Sequence, residues 1–290
     1  MTLRLGKFEY DLSNRSLVMG ILNRTTDSFF DQGAYFGFSD FLKKAEALVE
    51  AGADILDVGG VKAGVGDEIS TSEEIDRVVP AIKELVKRFD VAVSVDTWNT
   101  SVLEESLQAG AVLGNDISGF ADRQYLDIAA KYGAAVVATH IRLAPRVPDL
   151  NPIYDDVVSD VTEFLDQRTK WAISAGVKPN SIVIDAGLDL GKTTEQSLEL
   201  LRNSSTLCEL GFTLLLSASN KDFLGEYLNL ELNERRPASI SAALVAYLGG
   251  ARIFRVHDVK GHRRALDMIS EINRRASIEV TNAESRSAKS

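Results

Sequence analysis

Eight side chains able to bind or polarise a small molecule recur at one kind of place in the sequence, directly after a short apolar run. They are Asn23, Asp57, Asp96, Asn115, Asp185, Lys221, Arg255 and His257. Together they supply three carboxylates, two carboxamides and three potential cations. A carboxylate facing the edge of an aminopyrimidinone ring can accept two parallel N–H bonds, and charge-assisted bonds contribute about 1.5–3 kcal/mol each. A guanidinium such as Arg255 can lie flat on such a ring for roughly 0.5–2 kcal/mol of cation–π attraction. With His257 and Asn23 it can also hold a phosphate or the metal ion of a phosphate. The set suits a flat, edge-polar heterocycle carrying an anionic tail.

The elements that must position these groups are legible as well. Apolar runs without helical period begin near Leu17, Ile55, Val91, Val112, Ala135, Ile182, Leu214 and Ile253. Runs of this kind are buried strands of a parallel sheet. Between them lie amphipathic helical patterns, as at Ile75, Val78, Val79, Ile82 and Val86, predicted to share one apolar face. Strands alternating with helices eight times predict an α/β fold, a (β/α)8 TIM barrel. In such barrels the site is built at the strand-exit end. The longest excursions there are Asn23 to Ser39, Val61 to Ser70 and His140 to Pro152. Gly52, Gly110, Gly133, Gly176 and Gly250 each stand where a left-handed cap would turn a helix back toward a strand. Thr71 with Glu74 has capping-box spacing and is expected to start the second helix, with Lys87 and Arg88 at its negative end.

With 290 residues the chain slightly exceeds the roughly 250 of a typical barrel, so one domain over residues 1–276 is expected, followed by a disordered polar tail, 277–290. The first residues predict a short β-hairpin turning at Gly6-Lys7 and lack the apolar core of a signal peptide. No apolar run approaches the about 20 residues of a membrane span. A cytoplasmic protein with no membrane partner is expected. Cys208 is the only cysteine, which excludes an intramolecular disulfide and a thiolate metal cluster. A net charge of −10 without a basic run argues against nucleic acid, while a few cations focused at a barrel mouth still permit a small anionic ligand.

Seven blocks now fall into register: MGILNRTTDSF (Met19 to Phe29), DILDVGG (Asp54 to Gly60), SVDT (Ser94 to Thr97), NDISG (Asn115 to Gly119), IDAGLDLGKT (Ile184 to Thr193), SNK (Ser219 to Lys221) and RVHDV (Arg255 to Val259). In these blocks the chain resembles dihydropteroate synthase over Leu17 to Ile272. The resemblance implies that Asp96, Asn115, Asp185, Lys221 and Arg255 bind a pterin. It implies that Asn23, Arg255 and His257 hold its pyrophosphate, with Mg2+ as cofactor at Asn23. Asp96, Asp185, Lys221 and Arg255 are the candidates for a catalytic role. The implied reaction displaces pyrophosphate from 6-hydroxymethyl-dihydropterin pyrophosphate by the amine of p-aminobenzoate. Family members pair through helices of the last third of the barrel, so a homodimer is expected.

The departures from the family pattern are concentrated. Where the family carries a glutamate-serine-threonine-arginine-proline run after Gly-Gly, this chain has Val61, Lys62, Ala63, Gly64 and Val65. Thr26 replaces a proline, Leu190 an aromatic, Asn220 an arginine and Ser217 a glycine. In the family these positions build the p-aminobenzoate pocket and close over the leaving group. The same GGVKAG and SNKD variants, and the acidic Asp189, resemble a second dihydropteroate-synthase-like paralogue of some bacteria that lacks synthase activity. A pterin-binding relative with weak or no synthase activity is therefore the leading expectation. An active synthase and a reduced-folate methyltransferase barrel are the alternatives. For other residues a structural part is expected: Asp57 bracing the Gly-Gly turn, Asp116 and His140 bonded to neighbouring backbone, Trp98 and Trp171 packing, and Cys208 as a small buried group. Lys192 lacks the glycine spacing of a Walker loop.

Overall fold

The computed structural model describes residues 1–24, 33–64, 66 and 68–287. Eight parallel strands close into a barrel in the order β10-β3-β4-β5-β6-β7-β8-β9. They are β3 Leu17–Asn23, β4 Ile55–Gly59, β5 Ala92–Asp96, β6 Leu113–Asp116, β7 Ala135–Thr139, β8 Ile182–Asp185, β9 Thr213–Leu216 and β10 Ile253–Val256. Each expected run is a strand to within a residue of its predicted start. A separate antiparallel hairpin, β1 Thr2–Leu5 with β2 Phe8–Asp11, precedes them, and Gly6 turns it at φ +55°.

Alternation along each strand sends one residue into the barrel and the next toward the helices. Two apolar layers result. Val18, Leu56, Val93, Val136 and Ile184 pack outward against the helices. Leu17, Met19, Ile55, Leu113, Val137 and Ile253 fill the lower interior, where Leu3, Leu5 and Leu12 of the hairpin segment plug it from below. The interior at that end is apolar and closed.

The helices are α1 Gly33–Glu50, α2 Thr71–Arg88, α3 Thr100–Gln108, α4 Gln124–Tyr132, α5 Val157–Ser174, α6 Thr194–Arg202, α7 Ser204–Cys208, α8 Asp222–Leu228, α9 Arg236–Leu248 and α10 Val259–Ser287. The five glycines expected at helix exits all have φ between +63° and +107°. Two details of α2 differ from expectation. Its cap is Ser70, whose hydroxyl accepts from the Glu73 N–H, because Glu74 is drawn inward and accepts from Thr97 Oγ1 at 2.7 Å. Val86 lies 41% exposed and Leu85 takes the buried position, since the stripe drifts around the helix over four turns. α10 runs past residue 277, where the sequence suggests a disordered tail, to Ser287. No helix among the described residues is long and apolar enough to cross a membrane.

Candidate functional site

Strand register decides which polar side chains meet. Asn23 stands opposite Gly59, Gly59 opposite Asp96, Asp96 opposite Asn115, and Thr139 opposite Asp185, all at the C-terminal rim. Gly59 leaves the space between two of them: a Cβ there would lie 3.5 Å from both Asn23 Oδ1 and Asp96 Oδ2. Arg255, on β10, reaches across β3. Its Nε donates to Asp57 Oδ2 at 2.6 Å and its Nη2 to Asp96 Oδ2 at 2.6 Å. Asn115 Nδ2 donates to the same Asp57 oxygen at 3.3 Å.

Asp57 therefore does not brace the Gly-Gly turn. It points into the barrel, is fully buried, and orients Arg255. Only a closed barrel could reveal this, since the two residues are 198 positions apart. One guanidinium serves two carboxylates. Burial would lower the Arg255 pKa, but Asp57 and Asp96 more than reverse that and keep it charged. Burial pushes Asp96 up to about 7 against the pull of Arg255.

Asp185 and Lys221 influence each other's charge on the neighbouring part of the rim. Burial raises the Asp185 pKa and Lys221 opposes it; burial lowers that of Lys221 and Asp185 opposes it. Asp185 Oδ1 accepts from Gly187 N at 2.8 Å, and the Lys221 ammonium donates to Leu188 O. Gly187 is obligatory, because a Cβ there would come within 1.9 Å of His140 O. His257 stands exposed at the rim with Nδ1 3.1 Å from Ser219 Oγ. Partial desolvation of its ring, with Arg255 and Lys44 nearby, lowers its pKa.

Lys192 has a part that the sequence did not signal. Its ammonium is buried and donates to Gly187 O at 2.9 Å and Leu190 O at 3.1 Å, with His140 Nδ1 at 2.8 Å. Burial pushes it down to about 7. His140 is thus bonded through its ring to a side chain 52 residues away, while its neighbour Phe164 packs edge-on at 4.7 Å. Asp116 behaves as expected and accepts from Ser118 N and Phe120 N. Trp171 is a packing aromatic, with Arg168 and Arg123 stacked at 3.9 and 4.1 Å. Cys208 is half-buried.

The rebuilt positions gather beside this rim. Ala63, Gly64, Arg146, Asp189, Leu190 and Lys192 line a cavity of about 200 Å³ between the loops that follow β4, β7 and β8. Arg146 N donates to Ala63 O at 3.2 Å, tying two of these loops together. Asn220 has φ +60° and donates its N–H to Ser239 Oγ at 3.0 Å. Thr26 and Val65 lie outside the described residues.

A closed parallel barrel with a cluster of buried charged groups at its C-terminal mouth is a small-molecule-binding (β/α)8 architecture. The sequence profile described as "Pterin binding enzyme" matches residues 19–257. The chain belongs to that family, among its dihydropteroate synthase-like members. It is 41% identical over 266 residues to a Mycobacterium leprae protein described as inactive dihydropteroate synthase 2, covering 90% of this chain and 91% of that one. It is also 38% identical over 243 residues to the dihydropteroate synthase of Haemophilus influenzae, covering 83% and 88%. Among solved structures, Yersinia pestis dihydropteroate synthase with a sulfonamide drug complex superposes with a TM-score of 0.88 at 38% identity, covering 95% of this chain and all of that one. The Xanthomonas albilineans enzyme in complex with 7,8-dihydropteroate gives 0.85 at 34% identity, covering 94% and 99%.

Proposed function

We propose that the protein binds a pterin at Asp96, Asn115, Asp185, Lys221 and Arg255 and is a weak or inactive dihydropteroate synthase. The observation that carries the reading is the contrast at the mouth. The Arg255–Asp57–Asp96 trio is complete, whereas the neighbouring cavity is walled by Ala63 and Gly64 where the family pattern has polar groups. In this reading Asp96 and Asp185 accept the amino and ring N–H groups of the pterin and stabilise positive charge that develops on it. Asn115 and Lys221 hold its remaining edge. Asn23, Arg255 and His257 hold the pyrophosphate.

The Asn23 carboxamide oxygen, exposed beside Asp96, is a hard donor of the kind that binds Mg2+ alongside phosphate oxygens. Bound there, Mg2+ would supply positive charge to the departing pyrophosphate. Two copies pairing through α9 and α10 complete the proposal, supported by exposed Val245 and Leu248 on one helix and Met268 and Ile272 on the other. Light scattering of the purified protein tests that pairing.

Turnover fails for want of orientation. An aniline held at near-attack distance can account for several kcal/mol of a barrier. Here glycine makes the orienting loop more costly to order, and Ala63 offers no side-chain donor. The expected pyrophosphate release with dihydropterin pyrophosphate, Mg2+ and p-aminobenzoate is at least roughly 100-fold below an ordinary synthase, about 2.7 kcal/mol of transition-state stabilisation. The gene is expected not to support a cell lacking its own synthase. Complementation at normal expression would make the protein an active synthase instead.

A further inference from the structure

We infer that Asp189 is a specificity-determining residue: its carboxylate, fixed in the wall of the cavity beside the pterin residues, disfavours a negatively charged second ligand and leaves the cavity to an uncharged aromatic amine. The inference rests on the proposed function only in naming the neighbouring ligand a pterin.

Three observations carry it. The first is conformational. Asp189 has φ +65°, a left-handed backbone in which glycine is the ordinary choice. Aspartate also tolerates this backbone, and here its side chain is held by specific partners. Oδ2 accepts from Asp222 N at 2.8 Å and Phe223 N at 3.4 Å, and Oδ1 lies 3.4 Å from Ser197 Oγ. These partners come from α6 and α8, so the carboxylate cannot swing away.

The second is position. Asp189 lines the cavity together with Ala63, Gly64 and Leu190, the rebuilt positions on the second-ligand side. The third is the charge balance around it. Its hydrogen-bond donors are two backbone N–H groups and a hydroxyl, which orient the carboxylate. Burial raises the Asp189 pKa, and Lys221, the main cation opposing that, is shared with Asp185. Among the described residues, the other charged groups of the cavity wall are Asp149, Arg146 and Lys192. Arg142 makes a two-pronged pair with Asp149, and Lys192 directs its ammonium at His140 and two carbonyls. Arg146 is also partnered. A carboxylate entering this space would meet a fixed like charge in its wall.

The test uses two probes of nearly the same shape, p-aminobenzoate and p-aminobenzamide, which differ in charge. Each is titrated against the full chain by ligand-observed NMR, with and without a pterin. The natural protein is expected to bind the amide at least tenfold more tightly than the acid. Asp189→Asn keeps a carbonyl acceptor for the two N–H groups and tolerates positive φ, so it should bring the ratio close to one. Asp189→Gly, which relaxes the backbone, should do the same and guards against misfolding of the first variant. Equal affinities in the natural protein, a ratio that neither variant changes, or binding of neither probe to any form would overturn the inference. Absence of pterin binding would instead count against the proposed function, and the ratio measured without pterin would still stand.

Discussion

The two sides of the barrel mouth are built on different physical terms. On the side proposed to bind a pterin, Asp57, Asp96, Asp185 and Arg255 sit on strands whose register fixes them, and Arg255 ties β10 to β4 and β5 through bonds of 2.6 Å. On the cavity side the walls come from loops, and Ala63 and Gly64 are exposed with no polar side chain. A charge network can be kept only as a whole, because removing one partner strands the others in a low dielectric. Loop residues that touch little change freely. That difference explains how one side retains the pattern of a family while the other departs from it.

The largest expected effect tests whether the pterin side is such a unit. Arg255→Ala should destabilise the protein by about 3–5 kcal/mol in urea unfolding, since it leaves Asp57 and Asp96 buried and unpaired. A loss below about 1 kcal/mol would mean that the two carboxylates share a proton and need no cation. Asp185→Asn is expected to weaken pterin binding by about 1–3 kcal/mol through loss of charge-assisted bonding, measured by calorimetry. Absence of binding to the unmodified protein would end the idea of a retained pocket.

Lys192 joins the two sides, since it holds both the Gly187 carbonyl beneath Asp185 and the Leu190 carbonyl of the cavity wall. Its folded pKa of about 7 lies below the unfolded value of about 10.4. Between those values the unfolded chain holds more protons, so this residue makes stability rise with pH, by up to about 1.4 kcal/mol per unit. Below pH 7 the contribution is flat. Comparing urea midpoints at pH 7 and pH 9 should show the rise in the natural protein and its loss in Lys192→Met, whatever the overall cost of that substitution.

The smallest effect belongs to the loops. An added Cβ at Gly64 would meet nothing within 4 Å, and its φ lies outside the left-handed region. Gly64→Ala is therefore expected to leave thermal stability unchanged or raise it by about 0.4–1 kcal/mol. A marked loss would show that the loop is packed and that the contrast between the two sides is overstated.

Much of the scaffold beneath both sides is legible in the sequence. Apolar runs ending on polar residues predict every barrel strand, because a strand buried on both faces has no other way to appear in sequence. The glycines at helix exits are readable because left-handed caps admit few alternatives. The spacing rule misplaces the N-cap of α2 by one residue, because the glutamate that completes it is drawn inward by Thr97, a partner 23 positions away.

The sequence by itself determined the alternation of elements, the closed barrel that follows from it, and the residue types at the strand exits. Those properties depend on periodicity and on local steric preference, which neighbouring residues settle among themselves. Only the tertiary structure decided what the exits do to one another. It set Asp57 against Arg255 rather than a turn, brought His257 Nδ1 to Ser219, placed Lys192 beneath two carbonyls, and turned the Asp189 carboxylate onto the start of α8. Each of these depends on distances of a few ångströms between residues far apart in the chain, and on the loss of water around them, neither of which is encoded in a local pattern.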